Sequence, residues 1–317
     1  MAEDMEVCHT TDVGIIITGG AYKWYGHGIL NRDEYINTIK EAAKAGYRIL
    51  KNGGTAVEAV EKSVSILEDC ELFNAGRGSI LTAKGEVECD AMIMKGHNLE
   101  TGAVISGQHF KNPIMLSRKI MEESPHCALS SDGALDFAKR INFPYCEPKE
   151  LITKEQYDNW KLQDDEEHFT DSDTACAVAI DKNGNLACAL STGGIGGKYK
   201  GRVGDAALVG CGGYANKKGA AVTFGRGEKL IKLTLARQVV FEMENGKSAQ
   251  EATDKAITLL RDEQEGLGGA VAIDKNGNFG KAFSTNLMSW VDIQDNRLMG
   301  EFNKNDGEEN LEIDERI

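Results

Sequence analysis

The spacing of apolar residues predicts the first elements of the chain. A short apolar run from Gly14 to Thr18 is typical of a buried strand. Apolar side chains then recur every three or four positions between residues 32 and 51, which predicts a helix that Gly53-Gly54 would end. Thr55-Ala-Val-Glu58 is a capping box that opens a second helix, and Asn112-Pro113 predicts the start of another.

The second half of the chain carries a repeated strand pattern. The nine residues from Ala177 to Asn185 are apolar and then turn-forming, and the same nine recur from Ala270 to Asn278. Asn-Gly between two apolar runs is a strong hairpin signal, so the repeat predicts two strand pairs in one layered core. Helices are predicted between the copies, over Glu228 to Glu244 and from a second capping box at Ser248 to Glu251.

An acidic segment interrupts these patterns at residues 145–173. Residues 163–173 alone hold six acidic side chains among eleven, and they have no apolar face. Because like charges repel, we predict a mobile linker here, with a plain surface loop as the alternative. The residues from about 303 to 317 are also acid-rich and predict a tail.

Composition and charge exclude several function classes. With 36 basic and 50 acidic residues among 317, the net charge is −14, so the chain repels phosphate and nucleic-acid binding is not expected. No apolar stretch approaches the ~20 residues of a membrane span, and the acidic start does not match a secretory signal. We therefore expect a cytoplasmic protein without membrane partners. The cysteines and histidines show no zinc-site spacing and predict free thiols.

Thr174 is the strongest candidate for a reactive residue. It lies where the acidic segment meets the first hairpin, in Asp171-Ser-Asp-Thr-Ala-Cys176. A threonine hydroxyl is a weak nucleophile that needs an adjacent base. Cleavage of the Asp173–Thr174 bond would supply one, since a free α-amino group has a pKa of ~7.7–8.0. The alternative is an ordinary threonine at a strand start, where β-branched residues are favoured.

The glycine-rich motifs that follow could bind an amino acid. Arg202 and Asp205 are three residues apart and can offer opposite charges to an α-carboxylate and an α-ammonium, or they can pair with each other. Gly225 and Gly227 precede a helix and leave backbone N–H groups for an anion, although a tight turn has the same sequence. Ser191-Thr-Gly-Gly194 lies between these motifs and the first hairpin.

In this order, the motifs over about residues 13–290 resemble the plant-type L-asparaginase and isoaspartyl peptidase family. Its members are N-terminal-nucleophile hydrolases with a threonine nucleophile. The first half matches at Gly19-Gly-Ala21, Phe73 to Ser79, Asp90 to Met94 and Asn112 to Ile114. The resemblance implies an α+β fold, a four-layer αββα sandwich in a single domain. It also implies cleavage into an α-subunit of residues 1–173 and a β-subunit of residues 174–317.

The resemblance assigns the catalytic roles. Thr174 matches the nucleophile, which is freed by self-cleavage after Asp173. Thr192 matches a second threonine that hydrogen-bonds to the nucleophile and tunes it, and the N–H of Gly225 matches one oxyanion donor. The implied reaction is attack of the Thr174 hydroxyl on a β-aspartyl amide, of L-asparagine or an isoaspartyl dipeptide, and release of aspartate by water.

The resemblance also assigns binding and supporting roles. Arg202 and Asp205 match the residues that bind the substrate's α-carboxylate and α-amino groups in the family. Gly225 and Gly227 match the residues that contact the substrate through their backbone. Asn74 and Gly19-Gly20 match elements that support the nucleophile and the self-cleavage geometry. Leu67 to Gly76 corresponds to a loop that often holds a structural sodium ion in the family, and no other cofactor is implied. The family further implies a homodimer of processed αβ units.

Four departures from the family pattern surround the predicted reaction centre. Asp173 stands where the asparaginase branch usually has glycine, although glycosylasparaginases and threonine aspartase have aspartate there. Phe224 replaces a small hydroxyl residue that completes the oxyanion hole, and the loss of one such donor costs about 10²–10³ in rate. Thr18-Gly-Gly-Ala-Tyr22 replaces His-Gly-Gly-Ala-Gly, and Ala175-Cys176 replaces Val-Gly or Ile-Gly.

These departures leave other functions open. One alternative is a cleavage-impaired homologue with weak or no catalysis that binds aspartate-like ligands. Another is a glycosylasparaginase, which Asp173 favours but the missing secretory signal and the Phe73-Asn-Ala-Gly motif do not. Threonine aspartase is disfavoured by the shorter chain here. A one-residue shift of the alignment would put Thr223 in the position of Phe224, but it would break the spacing of Gly225 and Gly227.

Overall fold

The strands of the protein form two sheets. The computed structural model describes residues 12–22, 32–162, 174–285, 287–302 and 311–317. The strands within them are β1 (Gly14–Tyr22), β2 (Cys89–Lys95), β3 (Thr101–Gly107), β4 (Leu129–Ser130), β5 (Ala175–Ile180), β6 (Leu186–Thr192), β7 (Gly213–Ala215), β8 (Gly219–Gly225), β9 (Gly268–Asp274), β10 (Phe279–Phe283), β11 (Leu287–Gln294), β12 (Arg297–Phe302) and β13 (Leu311–Arg316). Nine of these form the larger sheet, in the order β13-β12-β11-β1-β5-β6-β2-β3-β4, and the smaller sheet has the order β10-β9-β8-β7.

Helices cover the outer face of each sheet. The described α-helices are α1 (Arg32–Lys51), α2 (Ala56–Asp69), α3 (Pro113–Glu123), α4 (Ser131–Arg140), α5 (Lys154–Leu162), α6 (Gly227–Leu233), α7 (Leu235–Glu244) and α8 (Ala249–Gln264). Helices α1 and α2 pack on the larger sheet, and α7 and α8 pack on the smaller one. This order of layers confirms the prediction of a four-layer αββα sandwich in a single domain. None of these helices is long and apolar enough to cross a membrane.

The residues of β5 are divided between two apolar layers because side chains alternate along a strand. Cys176, Val178 and Ile180 belong to the core between the two sheets. Ala175 and Ala177 face the opposite way, into the core under α1 and α2. The smaller sheet closes the inter-sheet core with residues of β8 and β9. The start of β5 is therefore held from both faces, which gives the residue before it a fixed position.

The local signals in the sequence are mostly confirmed. Helix α1 has the predicted bounds, and both capping boxes form, at Thr55 and at Ser248. The two Asn-Gly hairpins also form, with Gly184 and Gly277 at positive φ, as such turns require. The first hairpin, β5–β6, lies in the larger sheet, and the second, β9–β10, lies in the smaller sheet. The repeated sequence therefore contributes one strand pair to each sheet of the sandwich.

The predicted helix from Glu228 to Glu244 is interrupted. Thr234 adopts a left-handed conformation with φ of 47°, which separates α6 from α7. The Thr234 hydroxyl donates a hydrogen bond to the carbonyl of Leu233, 2.7 Å away. The prediction of one continuous helix is therefore wrong, because a β-branched residue carries no sequence signal for a left-handed turn.

Two short helices form in the described part of the predicted acidic linker. A 3₁₀ helix covers Pro148–Leu151 and α5 follows it, with Trp160 Nε1 donating a hydrogen bond to Ala83 O over 3.4 Å. Leu151 is buried within this part of the chain, so residues 145–162 include packed structure, while the mobility of the linker stays a prediction. Residues 163–173, with Asp173, lie outside the described residues.

The acidic end of the chain is not wholly a tail. Residues 303–310 lie outside the described residues, but 311–316 form β13, which pairs with β12 at the edge of the larger sheet. Two of its acidic residues have cationic partners: Asp314 binds Arg297 over 2.7 Å, and Glu315 binds Lys40 over 2.6 Å. The acidic side chains that suggested a tail therefore form ion pairs that attach β13 to β12 and α1.

Candidate active site

Thr174 and Thr192 lie side by side at the ends of two paired strands. In the β5–β6 ladder Ala175 is opposite Ser191, so Thr174 comes next to Thr192 one step further along. Both threonines are about 5% exposed. Side chains alternate between the two faces of a strand, so Thr174 shares a face with Cys176 and Thr192 shares a face with Leu190. Both apolar residues point into the inter-sheet core. The two hydroxyl residues predicted to act together are therefore neighbours on one face.

Asn74 fixes the turn that follows Thr192. Its side-chain amide donates hydrogen bonds to Gly194 O at 2.8 Å and to Thr192 Oγ1 at 3.4 Å. Its Oδ1 accepts a hydrogen bond from the backbone N–H of Ile80 at 2.8 Å. The N–H of Gly194 also donates to Thr192 Oγ1, over 3.0 Å. Asn74 thus contacts the turn and Thr192 together, which fits the supporting role expected for it.

Gly19 and Gly20 lie in β1, directly after the last residue of that strand that pairs with β5. Thr18 is opposite Cys176 in the β1–β5 ladder, and its Oγ1 accepts a hydrogen bond from the N–H of Gly20 over 2.9 Å. A Cβ on Gly19 would lie 2.8 Å from the ring of Phe73, so glycine is required by close approach. The glycine pair therefore lies beside the strand that follows Thr174, and its supporting role stays a prediction. The side chain of Tyr22 lies outside the described part of the chain.

Arg202 pairs with Glu228 instead of Asp205. Its Nε and Nη2 donate hydrogen bonds to the two carboxylate oxygens of Glu228, over 2.9 and 3.0 Å. Such a bidentate pair fixes the plane of the guanidinium. The third nitrogen, Nη1, would lie 3.0 Å from a Cβ on Gly194 and 2.7 Å from one on Gly204. Two glycines therefore leave room for this nitrogen, close to the turn that contacts Thr192.

Asp205 offers a buried carboxylate next to this guanidinium. It is 6% exposed, and its Oδ2 has no hydrogen-bonding partner among the described residues. Burial raises the pKa of Asp205 to about 7, although the charge of Arg202 acts in the opposite direction. A Cβ on Gly227 would lie 2.9 Å from Asp205 Oδ1 and 2.8 Å from Arg202 Nη2. The structure therefore brings Arg202, Asp205 and Gly227 together into one cluster.

Phe224 lies in the inter-sheet core. It is 1% exposed and faces the same layer as Cys176 and Val178. Thr223, the next residue back on β8, faces the other side, and its Oγ1 donates a hydrogen bond to Cys211 O at 2.8 Å. The geometry therefore gives no support to the shifted alignment, since the Thr223 hydroxyl points away from the layer that Thr174 shares. Gly225 follows with φ of 145°, a conformation that favours glycine.

The comparison with known families agrees with this arrangement. The family described as Asparaginase matches residues 11–300. The chain belongs to this family. The resemblance drawn from the motifs is thereby confirmed, and the αββα sandwich agrees with the N-terminal-nucleophile hydrolase fold that it implied.

Three similar proteins illustrate the range of the family. An isoaspartyl peptidase/L-asparaginase of Danio rerio is 44% identical over 90% of this chain and 93% of its own length. The Homo sapiens protein of the same description is 40% identical over 90% of this chain and 94% of its own. A plant-type L-asparaginase of Pyrococcus abyssi is 38% identical over 88% of this chain and 95% of its own. The similarity therefore extends over nearly the whole length of each relative.

Two charged residues at this asparaginase-family site were missed from the sequence. Glu228 was noted only as the start of a predicted helix, but it orients Arg202. Lys198 is 2% exposed and donates a hydrogen bond to Gly193 O over 2.8 Å. The neighbouring sequence does not indicate that either residue belongs to the site, since both lie in short polar stretches that are typical of surface loops. Only the fold shows that a lysine is buried beside the turn at Gly193.

Proposed function

We propose that the protein is an autoprocessing N-terminal-threonine amidohydrolase that hydrolyses β-aspartyl amide bonds in L-asparagine and isoaspartyl dipeptides. The observation that carries this proposal is the cluster of Arg202, Asp205 and Gly227. A guanidinium of fixed orientation lies beside a buried carboxylate oxygen that has no hydrogen-bonding partner among the described residues, and this pair suits the α-carboxylate and α-ammonium of one amino acid. The similar proteins described as isoaspartyl peptidase/L-asparaginase support the same substrate class.

The cluster is connected to the candidate nucleophile through the glycine turn. Arg202 Nη1 lies against Gly194, the N–H of Gly194 binds Thr192 Oγ1, and Thr192 is the neighbour of Thr174. An aspartyl group held by its α-substituents at the cluster would extend its β-carbonyl toward the strand ends.

In the proposed reaction, the free α-amino group of Thr174 takes the proton of its own hydroxyl. The hydroxyl oxygen bonds to the β-carbonyl carbon, and the N–H of Gly225 stabilises the resulting oxyanion. The C–N bond breaks as the leaving amine accepts the proton, which leaves an aspartyl ester on Thr174. Water then hydrolyses the ester and releases aspartate. In maturation the same hydroxyl attacks the carbonyl of Asp173, which lies outside the described residues.

Two further features of the family are proposed for this chain. The carbonyls of Leu67, Cys70 and Phe73 each accept one backbone N–H and keep a second lone pair. Neutral oxygens of this kind suit a structural sodium ion in the loop Leu67 to Gly76, and among the described residues no cluster of acidic, histidine or cysteine side chains suits another metal. A homodimer of processed units is likewise proposed on the family resemblance alone.

A catalytically weak homologue that binds aspartate is the second candidate. Phe224 favours it, because an apolar ring occupies the position expected to supply an oxyanion-hole hydroxyl. Glycosylasparaginase is a third candidate, which differs from the first only in the leaving group. All three functions use the same cluster for the aspartyl group, so substrate assays and the state of the chain distinguish them.

The first experiment is an intact-mass spectrum of freshly purified protein, with Thr174→Ala and Thr174→Ser as variants. The proposal expects two fragments, residues 1–173 and 174–317, in the wild type, slower cleavage in the serine variant and none in the alanine variant. The cleaved protein is then assayed with L-asparagine, a β-aspartyl dipeptide and a sugar-linked asparagine. Hydrolysis of the sugar-linked substrate alone would indicate glycosylasparaginase. An uncut chain that binds aspartate would support the weak homologue and overturn the proposal.

A further inference from the structure

A buried lysine that the proposed reaction does not use lies under the turn after Thr192. The Lys198 ammonium donates hydrogen bonds to the carbonyls of Gly193, over 2.8 Å, and Glu88. A lysine is almost never fully buried unless it has such partners. Burial lowers the pKa of Lys198, while the nearby carboxylates of Asp90 and Glu88 act in the opposite direction. Burying a charged ammonium group costs folding free energy, so the position of Lys198 calls for an explanation.

The Gly193 carbonyl belongs to the same peptide unit as the Gly194 N–H. In a trans peptide the C=O and the N–H point in opposite directions. One side of this unit therefore faces Lys198, and the other side donates to Thr192 Oγ1 over 3.0 Å. A cation at the carbonyl oxygen both fixes the peptide plane and strengthens the N–H as a donor, since linked hydrogen bonds polarise one another. Lys198 thus reaches Thr192 through a single peptide unit.

The Thr192 hydroxyl is consequently oriented by two donors. Both the Gly194 N–H and the Asn74 amide point at Oγ1, so this oxygen accepts in both contacts. The hydroxyl hydrogen must then point away from both of them. The strand register places Thr174 next to Thr192 on the same face. Fixing the turn therefore fixes the direction of a hydrogen-bond donor beside the candidate nucleophile.

We propose that Lys198 is a positioning residue for the reaction of Thr174, acting through the Gly193–Gly194 peptide on the Thr192 hydroxyl. This inference rests on the proposed function. It differs from a purely structural role, because it requires that the effect of Lys198 depend on Thr192.

The test is a double-mutant cycle between Lys198→Met and Thr192→Val. Hydrolysis rates are divided by the fraction of cleaved chain, which intact mass measures. Where a folded variant cleaves its chain slowly, the rate of chain cleavage is compared instead. We expect Lys198→Met to lower kcat about tenfold or more, as for the loss of a hydrogen bond from a charged donor. The KM for a β-aspartyl dipeptide should change less than about threefold, because Arg202 and Asp205 stay in place. In the Thr192→Val background, Lys198→Met should cost almost nothing more.

Two further variants serve as controls. Lys200→Met removes an exposed lysine of the same loop, which pairs with Glu86 over 3.0 Å, and should leave kcat unchanged. Lys198→Arg keeps the charge and the donors and should restore part of the rate. Lys198→Gln, which removes the charge and keeps an N–H donor, is measured by the same criteria in case the methionine variant does not fold.

Several outcomes would overturn the proposal. Multiplicative losses in the double mutant would show that Lys198 acts independently of Thr192. A normal kcat for folded Lys198→Met would show that it does not act on the reaction. In both cases the wild type remains active and the proposed function survives. A wild type that neither cleaves nor hydrolyses would instead overturn the proposed function and this inference with it.

Discussion

Gly227 lies so close to Asp205 that no side chain fits between them: a Cβ on Gly227 would be 2.9 Å from Asp205 Oδ1. Gly227 has a helical backbone in α6 and no positive φ, so it is the approach of Asp205 and Arg202 that requires a glycine. The glycine thus opens the space in which the two charged groups can meet a small zwitterion.

Gly227→Ala should therefore weaken substrate binding without unfolding the protein. The new methyl group would displace Asp205 or Arg202, and we expect the KM for a β-aspartyl dipeptide to rise about tenfold or more. Gly133→Ala is the matched control, because Gly133 also lies in a helix and a Cβ there meets no atom of the described residues within 4 Å. It should leave KM unchanged and stabilise the fold by up to ~1 kcal/mol. A normal KM for Gly227→Ala would mean that substrate binds elsewhere.

The raised pKa of Asp205 predicts that ligand binding weakens in acid. Burial holds this pKa at about 7, so the carboxylate that would bind an ammonium is increasingly protonated below that pH. Aspartate affinity should fall about tenfold per pH unit below pH 7 and level off above it. Calorimetric titration between pH 5.5 and 8.5 measures this without turnover. Asp205→Asn should bind weakly at every pH, whereas Asp262→Asn, a change at an exposed carboxylate, should behave as the wild type does. A flat wild-type profile would contradict the assignment.

Local sequence signals accounted for much of the fold. Capping boxes at Thr55 and Ser248 and the two Asn-Gly turns depend on residues three or four apart, and all of them form. Strand β13 could not be predicted in this way. Its acidic residues bind Lys40 on α1 and Arg297 on β12, so the formation of this strand depends on residues outside its own sequence. A run of charge looks like a tail until those partners are known.

The candidate site shows the same limit. The motifs identified Arg202 and Asp205, but the sequence left their mutual salt bridge as an alternative, and only the fold shows that Glu228 takes the guanidinium. Lys198 was missed because a lysine between glycine and tyrosine looks exposed. Its ammonium binds the carbonyls of Glu88, just before β2, and Gly193, so its burial depends on segments that only the sandwich brings together and not on the local pattern.

Phe224 provides a test of the oxyanion hole. Replacing it with serine, the kind of small hydroxyl residue that the family pattern has there, should raise kcat about tenfold or more per folded molecule. The same change should cost about 3–5 kcal/mol of stability, because a fully buried ring is lost. Phe110→Ser, in a separate buried cluster, should cost a similar amount without raising kcat. Equal kcat in the Phe224→Ser variant and the wild type would show that the oxyanion hole does not depend on a hydroxyl group at position 224.

Lys281 and Asp292 join the two sheets through a partly buried ion pair. Lys281 lies on β10 of the smaller sheet and Asp292 on β11 of the larger one, and their N–O distance is 2.6 Å. The Asp292 side chain is 7% exposed. Burial raises the pKa of Asp292, and Lys281 acts against that rise.

Lys281→Met should consequently destabilise the protein by about 3–5 kcal/mol at pH 8, because it leaves an unpaired buried carboxylate. Without the lysine the pKa of Asp292 rises further, so at lower pH the carboxyl group is neutral in the folded protein and the loss should shrink. Lys119→Met is the control: its pair with Glu123 is 2.7 Å long but exposed on both sides, and it should cost less than ~1 kcal/mol at either pH. Urea unfolding at pH 5 and pH 8 measures both variants. Equal losses for the two lysines, or a loss at Lys281 that does not change with pH, would show that Asp292 is hydrated or paired elsewhere once Lys281 is removed.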